Sequence, residues 1–118
     1  MISGIFILIF QEDNMTRITP IKENNKLIGF KVDGHANSSS YGTDIVCAAV
    51  SVLSINTINS LQVIAHKELD VWEEDGYLEY HIRGNSTPQS NVLLQSAMLG
   101  YRSTAEQYPE YVCIATSQ

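Results

Sequence analysis

Leu69-Asp70-Val71-Trp72-Glu73-Glu74-Asp75-Gly76-Tyr77-Leu78-Glu79-Tyr80-His81-Ile82 is the stretch on which the fold turns. Leu69 and Val71 lead to Glu74-Asp75-Gly76, and Leu78, Tyr80 and Ile82 then recur at every second position. A period of two places alternate side chains on one face, so the segment reads as a β-hairpin with one apolar side. Asp-Gly at its tip predicts a type I′ turn, whose twist matches that of the flanking strands. His81 alternates with the apolar set and is expected to face solvent.

The neighbouring segments extend this pattern in both directions. Upstream, Ile45, Ala48, Ala49, Val50, Val52, Leu53, Ile55, Ile58, Leu61 and Ile64 cover more than one face at helical spacing. They predict a central, largely buried helix that starts near Thr43 or Asp44, either of which can be the N-cap, and runs to about Ala65. Before it, Thr16 to Lys22 and Leu27 to Val32 flank the turn residues Glu23-Asn24-Asn25, giving another hairpin. Pro20 cannot donate to a ladder, which predicts an edge or a bulge there. Downstream, Thr87 caps and Pro88 starts a second helix with a stripe at Leu94, Met98, Tyr101, Ala105 and Tyr108. Pro109 ends it, and Tyr111 to Ala115 is a short final strand. The order is ββαββα plus a short final strand, an α+β, two-layer domain with a mostly antiparallel sheet and two helices. Residues 15–118 read as that single domain, and residues 1–14 as an N-terminal extension or an over-called start, since Met15 offers a second one.

Composition excludes several classes of function. The 118 residues carry 7 Lys+Arg against 13 Asp+Glu, a formal net charge of −6, which argues against nucleic acid as a partner and for a basic one. Cys47 and Cys113 lie in unlike contexts, which is not a secreted disulfide framework and predicts a reducing, cytoplasmic setting. The longest apolar run, Ile5 to Phe10, falls far short of the roughly 20 residues a bilayer requires, so no membrane association is expected. The run also lacks the preceding Lys or Arg and the following small residues of a signal peptide. His35, His66, His81 and the two cysteines show no metal-binding spacing, and no glycine-rich phosphate loop is present, so neither metal nor cofactor is expected.

Chemistry concentrates in Gly34-His35 followed by Gly42-Thr43-Asp44-Ile45-Val46-Cys47. The expected helix start puts Cys47 in a first turn, where free backbone N–H groups and the positive end of the helix dipole favour a thiolate. The stretch between is small, polar and flexible, so it can bring the His35 imidazole back to the thiol. A Cys/His pair in hydrogen-bond reach suffices for acyl transfer: the imidazole takes the thiol proton and later protonates the leaving amine. Asp44 serves as a helix cap or as an orienting carboxylate for His35, and Ser51 lies one turn beyond Cys47 on the same face. The competing reading is a non-catalytic binding module in which Cys47 is only packed, with a buried sulfur.

Gly34-His35-Ala36, the loop ending at Gly42, and Asp44-Ile45-Val46-Cys47-Ala48-Ala49-Val50-Ser51 resemble the ribosomal-processing cysteine proteases of the Prp (YsxB-like) family. The similarity runs from Met15 to about Ala115. It implies a catalytic dyad of Cys47 and His35, with Gly34, Asp44 and Ser51 in support and a mobile loop over Asn37, Ser38, Ser39, Ser40, Tyr41 and Gly42. It also implies a homodimeric cysteine endopeptidase without metal or cofactor. Its substrate would be large-subunit ribosomal protein twenty-seven, whose N-terminal extension is removed by a cut after an apolar, aromatic-rich segment during ribosome maturation.

Overall fold

Alternation and capping act together in a computed structural model that describes residues 15–34 and 41–115, residues 41–44 by their backbone alone. Strands β1 (Thr16–Glu23) and β2 (Lys26–Asp33) form the first hairpin, and helix α1 (Tyr41–Val63) follows. Strands β3 (Leu69–Glu74) and β4 (Tyr77–Ile82) form the second, then come α2 (Pro88–Gln107) and β5 (Val112–Ile114). The sheet order is β3-β4-β2-β1-β5. The two hairpins join through β4 and β2, antiparallel, with Phe30 opposite Tyr80 and Val32 opposite Leu78. β5 pairs in parallel with β1 from Thr16 to Ile18, so the sheet is mixed, though mostly antiparallel as expected.

Pro20 shows how a local rule meets this topology. The Thr16 N–H donates to the Tyr111 carbonyl and the Ile18 carbonyl accepts from the Ala115 N–H, so even-numbered residues of β1 turn their backbone groups toward β5. Pairing with β5 ends at Ile18, so the N–H that Pro20 lacks would have pointed past the paired region. The β1/β2 register also shifts between Ile21 and Lys22, giving the bulge that proline made an alternative.

The type I′ turn expected at Asp75-Gly76 falls instead on the first hairpin. Asn24 and Asn25 both take positive φ (53° and 70°), the signature of a type I′ turn. In the Glu74-Asp75-Gly76-Tyr77 turn only Gly76 does (φ 77°), so Asp-Gly there is not type I′.

Helix α2 follows its sequence signals closely. Thr87 is the N-cap, its side chain accepting from the Ser90 N–H while the Ser90 side chain accepts from the Thr87 N–H, and Pro88 occupies the first turn. The buried stripe is Ser90, Leu94, Ala97 and Tyr101, and the helix stops one residue before Tyr108-Pro109. The core unites Ile18 and Phe30, Val46, Val50 and Leu61 of α1, Tyr80 and Ile82, and Leu94, Ala97 and Tyr101 of α2. Its aromatic centre is Phe30, with Tyr101 edge-on at 4.8 Å between ring centroids and Tyr80 tilted at 5.9 Å. The hydroxyls of this centre form a short chain: Ser54 Oγ lies 2.7 Å from Tyr101 Oη, which lies 2.9 Å from Tyr80 Oη. Burial raises both phenol pKa values above the usual range, because an isolated phenolate there would lack water.

Helix α1 departs from expectation in three respects. It starts at Tyr41, so Thr43 and Asp44 are helical residues and not the N-cap, and Tyr41 and Gly42 belong to the helix instead of the loop. It is only partly buried: Val46, Val50, Ser54, Thr57 and Leu61 face inward, while Val52 (67% exposed), Ile55 (56%) and Val63 (72%) face outward. Its residues Ile45–Val63 are also long and apolar enough to cross a membrane by length and composition, with a mean hydropathy of 1.5. Counting uninterrupted apolar runs overlooked this segment because Ser, Thr, Asn and Gln punctuate it without any charge. In the fold its inward stripe packs on the sheet and on α2, the behaviour of a core helix. The helix closes at His66, whose φ is 56°, where the Lys67 N–H donates to the Leu61 carbonyl at 2.9 Å.

Candidate active site

Three of the residues singled out by sequence meet in one cleft of about 210 Å³ where the end of β2, helix α1 and the β3–β4 turn converge. Cys47 and Ser51 line it from α1, and Gly34 from the end of β2. Cys47 is a free thiol and exposed, the opposite of what a packed structural cysteine requires. Ser51 is exposed one turn along the same face, and Val50 and Ser54 form the inner wall. The expectation that Cys47 lies in the first turn is corrected by the earlier helix start. Cys47 is the seventh residue of α1, so the four free N–H groups of the helix belong to residues before it. Any oxyanion donors supplied by the helix therefore come from the turn ahead of Cys47.

Gly34 has a physical reason to be glycine. A Cβ there would stand 2.6 Å from Thr16 Cα and 2.7 Å from the Met15 carbonyl oxygen, both backbone atoms. Its N–H donates to the Gly76 carbonyl at 2.9 Å, tying the end of β2 to the β3–β4 turn. His35 follows immediately but, with Asn37, Ser38, Ser39 and Ser40, lies outside the described residues, as does the side chain of Asp44.

The structure adds residues that sequence reasoning did not select. Glu73, Glu74, Gly76 and Tyr77 line the cleft from the second hairpin, and Thr16 from β1. No lysine or arginine is among its described lining residues, so its charge is negative. Tyr77 Oη donates to Glu79 Oε1 at 2.6 Å. That bond, with burial and nearby carboxylates, pushes the phenol pKa up to about 12, so Tyr77 stays neutral at ordinary pH. The hairpin was legible in sequence, but its position beside Gly34 depends on β4 choosing β2 as its partner. Cys113 is a free thiol in β5, opposite Arg17 in the ladder, and His81 is half-buried with Nδ1 3.9 Å from Asp70 Oδ2. Neither lines the cleft.

An exposed thiol on a helix, set in a cleft beside a strand end, fits the class of thiol-nucleophile hydrolases. A family model described as cysteine protease Prp matches residues 15–113, and the chain belongs to that family. It is 27% identical over 94 residues to the ribosomal processing cysteine protease Prp of Staphylococcus aureus (strain Mu50 / ATCC 700699), covering 78% of this chain and 89% of that protein. It is 25% identical over 97 residues to the protein of the same name in Bacillus subtilis (strain 168), covering 77% and 87%. Among solved structures, SMU.848 from Streptococcus mutans superposes with a TM-score of 0.71 at 36% identity over 88% of this chain and 97% of that one. The S. aureus Prp complex with a substrate peptide superposes with a TM-score of 0.76 at 22% identity over 87% and 98%, a match that bears on the fold.

Proposed function

We propose that the chain is a cytoplasmic cysteine endopeptidase that removes the N-terminal extension of large-subunit ribosomal protein twenty-seven, cutting after an apolar, aromatic-rich segment. The observation that carries this reading is the exposure of the Cys47 thiol in the cleft shared with Gly34 and Ser51. His35 follows Gly34 directly in the chain, and Gly34 lines that cleft. In the reaction His35 takes the Cys47 proton and the sulfur attacks the scissile carbonyl carbon. The resulting oxyanion collapses, His35 protonates the departing amine, and an acyl-enzyme remains. Water, deprotonated by His35, then releases the acid and restores the thiol. Asp44 orients His35 by its charge, and Ser51 lines the groove beside the acyl sulfur.

The S. aureus relative has been crystallised with a substrate peptide and with a covalently linked product peptide, which supports a peptide as the substrate class here. Glu73 and Glu74 make the cleft mouth acidic, which suits a basic ribosomal protein. The same reading makes the enzyme a homodimer. In support, the outward face of α1 presents Ala48, Ala49, Val52 and Val63 to solvent, an apolar strip of the kind that marks interaction surfaces.

The deciding experiment incubates the purified enzyme with the extended ribosomal protein and follows the N-terminus by mass spectrometry. Cys47→Ala and His35→Ala should each leave the substrate uncut. Full cleavage by either variant, or a cut elsewhere in the substrate, would overturn the assignment.

A further inference from the structure

The seven lysines and arginines of this acidic chain are unevenly placed. Lys22, Lys26 and Arg102 line a single cleft of about 510 Å³, and no carboxylate is among its described lining residues. None of the three belongs to an ion pair among the described residues, where the pairs are made by Arg83 and His81. The cleft lies at the far end of β1 from Cys47. Lys22 is six residues from Thr16, about 20 Å along an extended strand, and the two clefts share no residue.

Its walls follow from helical geometry. Asn91, Gln95, Met98 and Arg102 are the residues one position beyond the buried stripe of α2, so they form a row rotated about 100° from it, facing the β1–β2 turn. That row offers two amide side chains that donate and accept, an apolar midpoint at Met98, and a guanidinium fork at its end. Leu27 and Ile114 add to the apolar lining.

We infer that this cleft is a binding site for a compact phosphorylated small molecule with an apolar or aromatic body, of the nucleoside diphosphate class. Three cations around one space call for a group with more than one negative charge, which a single carboxylate does not supply and a diphosphate does. Arg102 and the lysines take the phosphates by charge-assisted hydrogen bonds. Met98 and Leu27 pack the body, and Asn91 and Gln95 read its polar edge. The ligand is compact for an electrostatic reason. A sphere of the cleft's volume is about 10 Å across, roughly one Debye length at 0.1 M salt, so an anion inside it senses all three cations. An extended polyanion would reach past them over the rest of a chain whose net charge is −6.

The test is calorimetric titration of the full chain with ADP, inorganic pyrophosphate and adenosine, and with a short oligoribonucleotide and an aspartate-rich peptide. Saturable ADP binding is expected, weakened roughly tenfold by Arg102→Gln and again by Lys22→Gln, since each removes a charge-assisted bond. Pyrophosphate should compete, adenosine should bind less well than ADP, and raised salt should weaken binding. The variants should keep the wild-type melting temperature and peptide cleavage, which separates a lost site from a lost fold. Absence of saturable ADP binding, or ADP affinity unchanged in both variants, would refute the site. Tighter binding of the oligonucleotide or the acidic peptide than of ADP would refute the ligand class.

Discussion

The Gly34 N–H donates to the Gly76 carbonyl at 2.9 Å, joining the residue that precedes His35 to the tip of the second hairpin. This bond ties the end of β2 to the β3–β4 turn, far apart in sequence, within the Cys47 cleft that both glycines line. Gly34→Ala would push a methyl group to 2.6 Å from Thr16 Cα, and backbone cannot swing aside as a side-chain tip can. The variant should lose about 1–3 kcal/mol of stability and at least tenfold in kcat/KM. Gly100→Ala is the control, because its added Cβ meets only the Leu53 side chain, at 2.7 Å, and a rotamer change relieves it. Melting curves and peptide cleavage on both variants check the contrast, and equal behaviour would remove the significance assigned to Gly34.

Tyr101 is the middle member of the buried hydroxyl chain, so its loss should cost more than its own bond. Tyr101→Phe leaves Ser54 and Tyr80 short of a partner and should destabilise by about 1–3 kcal/mol. Because the residues form one network, Tyr101→Phe combined with Ser54→Ala should cost less than the sum of the single changes. Denaturant unfolding of the three variants measures the coupling, and strict additivity would contradict the network.

Alkaline pH should probe three of the tyrosines. Three of the six, Tyr77, Tyr80 and Tyr101, have raised pKa values in the folded state, Tyr77 at about 12. A phenol whose folded pKa exceeds its unfolded value of about 10 adds stability that is complete below pH 10. For Tyr77 that contribution is lost between about pH 10 and 12. Stability should therefore fall over that window, and less so in Tyr77→Phe. Tyrosinate absorbance should show the two core tyrosines ionising only with unfolding. A titration in which all six ionise together near pH 10 with the fold intact would contradict the buried network.

The outward face of α1 predicts an assembly that charge will disrupt. Val52→Glu and Val63→Glu alter exposed positions (67% and 72%) and so leave the core in place. Sedimentation analysis should show a dimer for the unmodified chain and a monomer for the double variant, with secondary structure retained. An unmodified chain that is monomeric at high concentration would sink the dimer.

Sequence patterns were sufficient wherever the information is local. Alternation identified Leu78, Tyr80 and Ile82 as one face, and Thr87-Pro88 marked the start of α2 to the residue, because capping satisfies backbone groups within one turn of chain. The Gly34, Cys47 and Ser51 cluster was legible as a motif, and the fold brings those three to one cleft. The start of α1 was not legible, since Thr43 and Asp44 look like caps although the helical bonds begin at Tyr41.

What the sequence by itself determined is the kind and order of the elements, the alternating face of the second hairpin, and the thiol that draws attention. Tertiary structure alone decided that β4 pairs with β2, which brings the acidic turn and Tyr77 beside Cys47, and separately that Val52 and Val63 face outward. The division has a physical cause. Periodicity and capping act within a few residues, whereas strand partners and the side of a helix left bare are chosen by hydrogen bonds and packing between segments tens of residues apart.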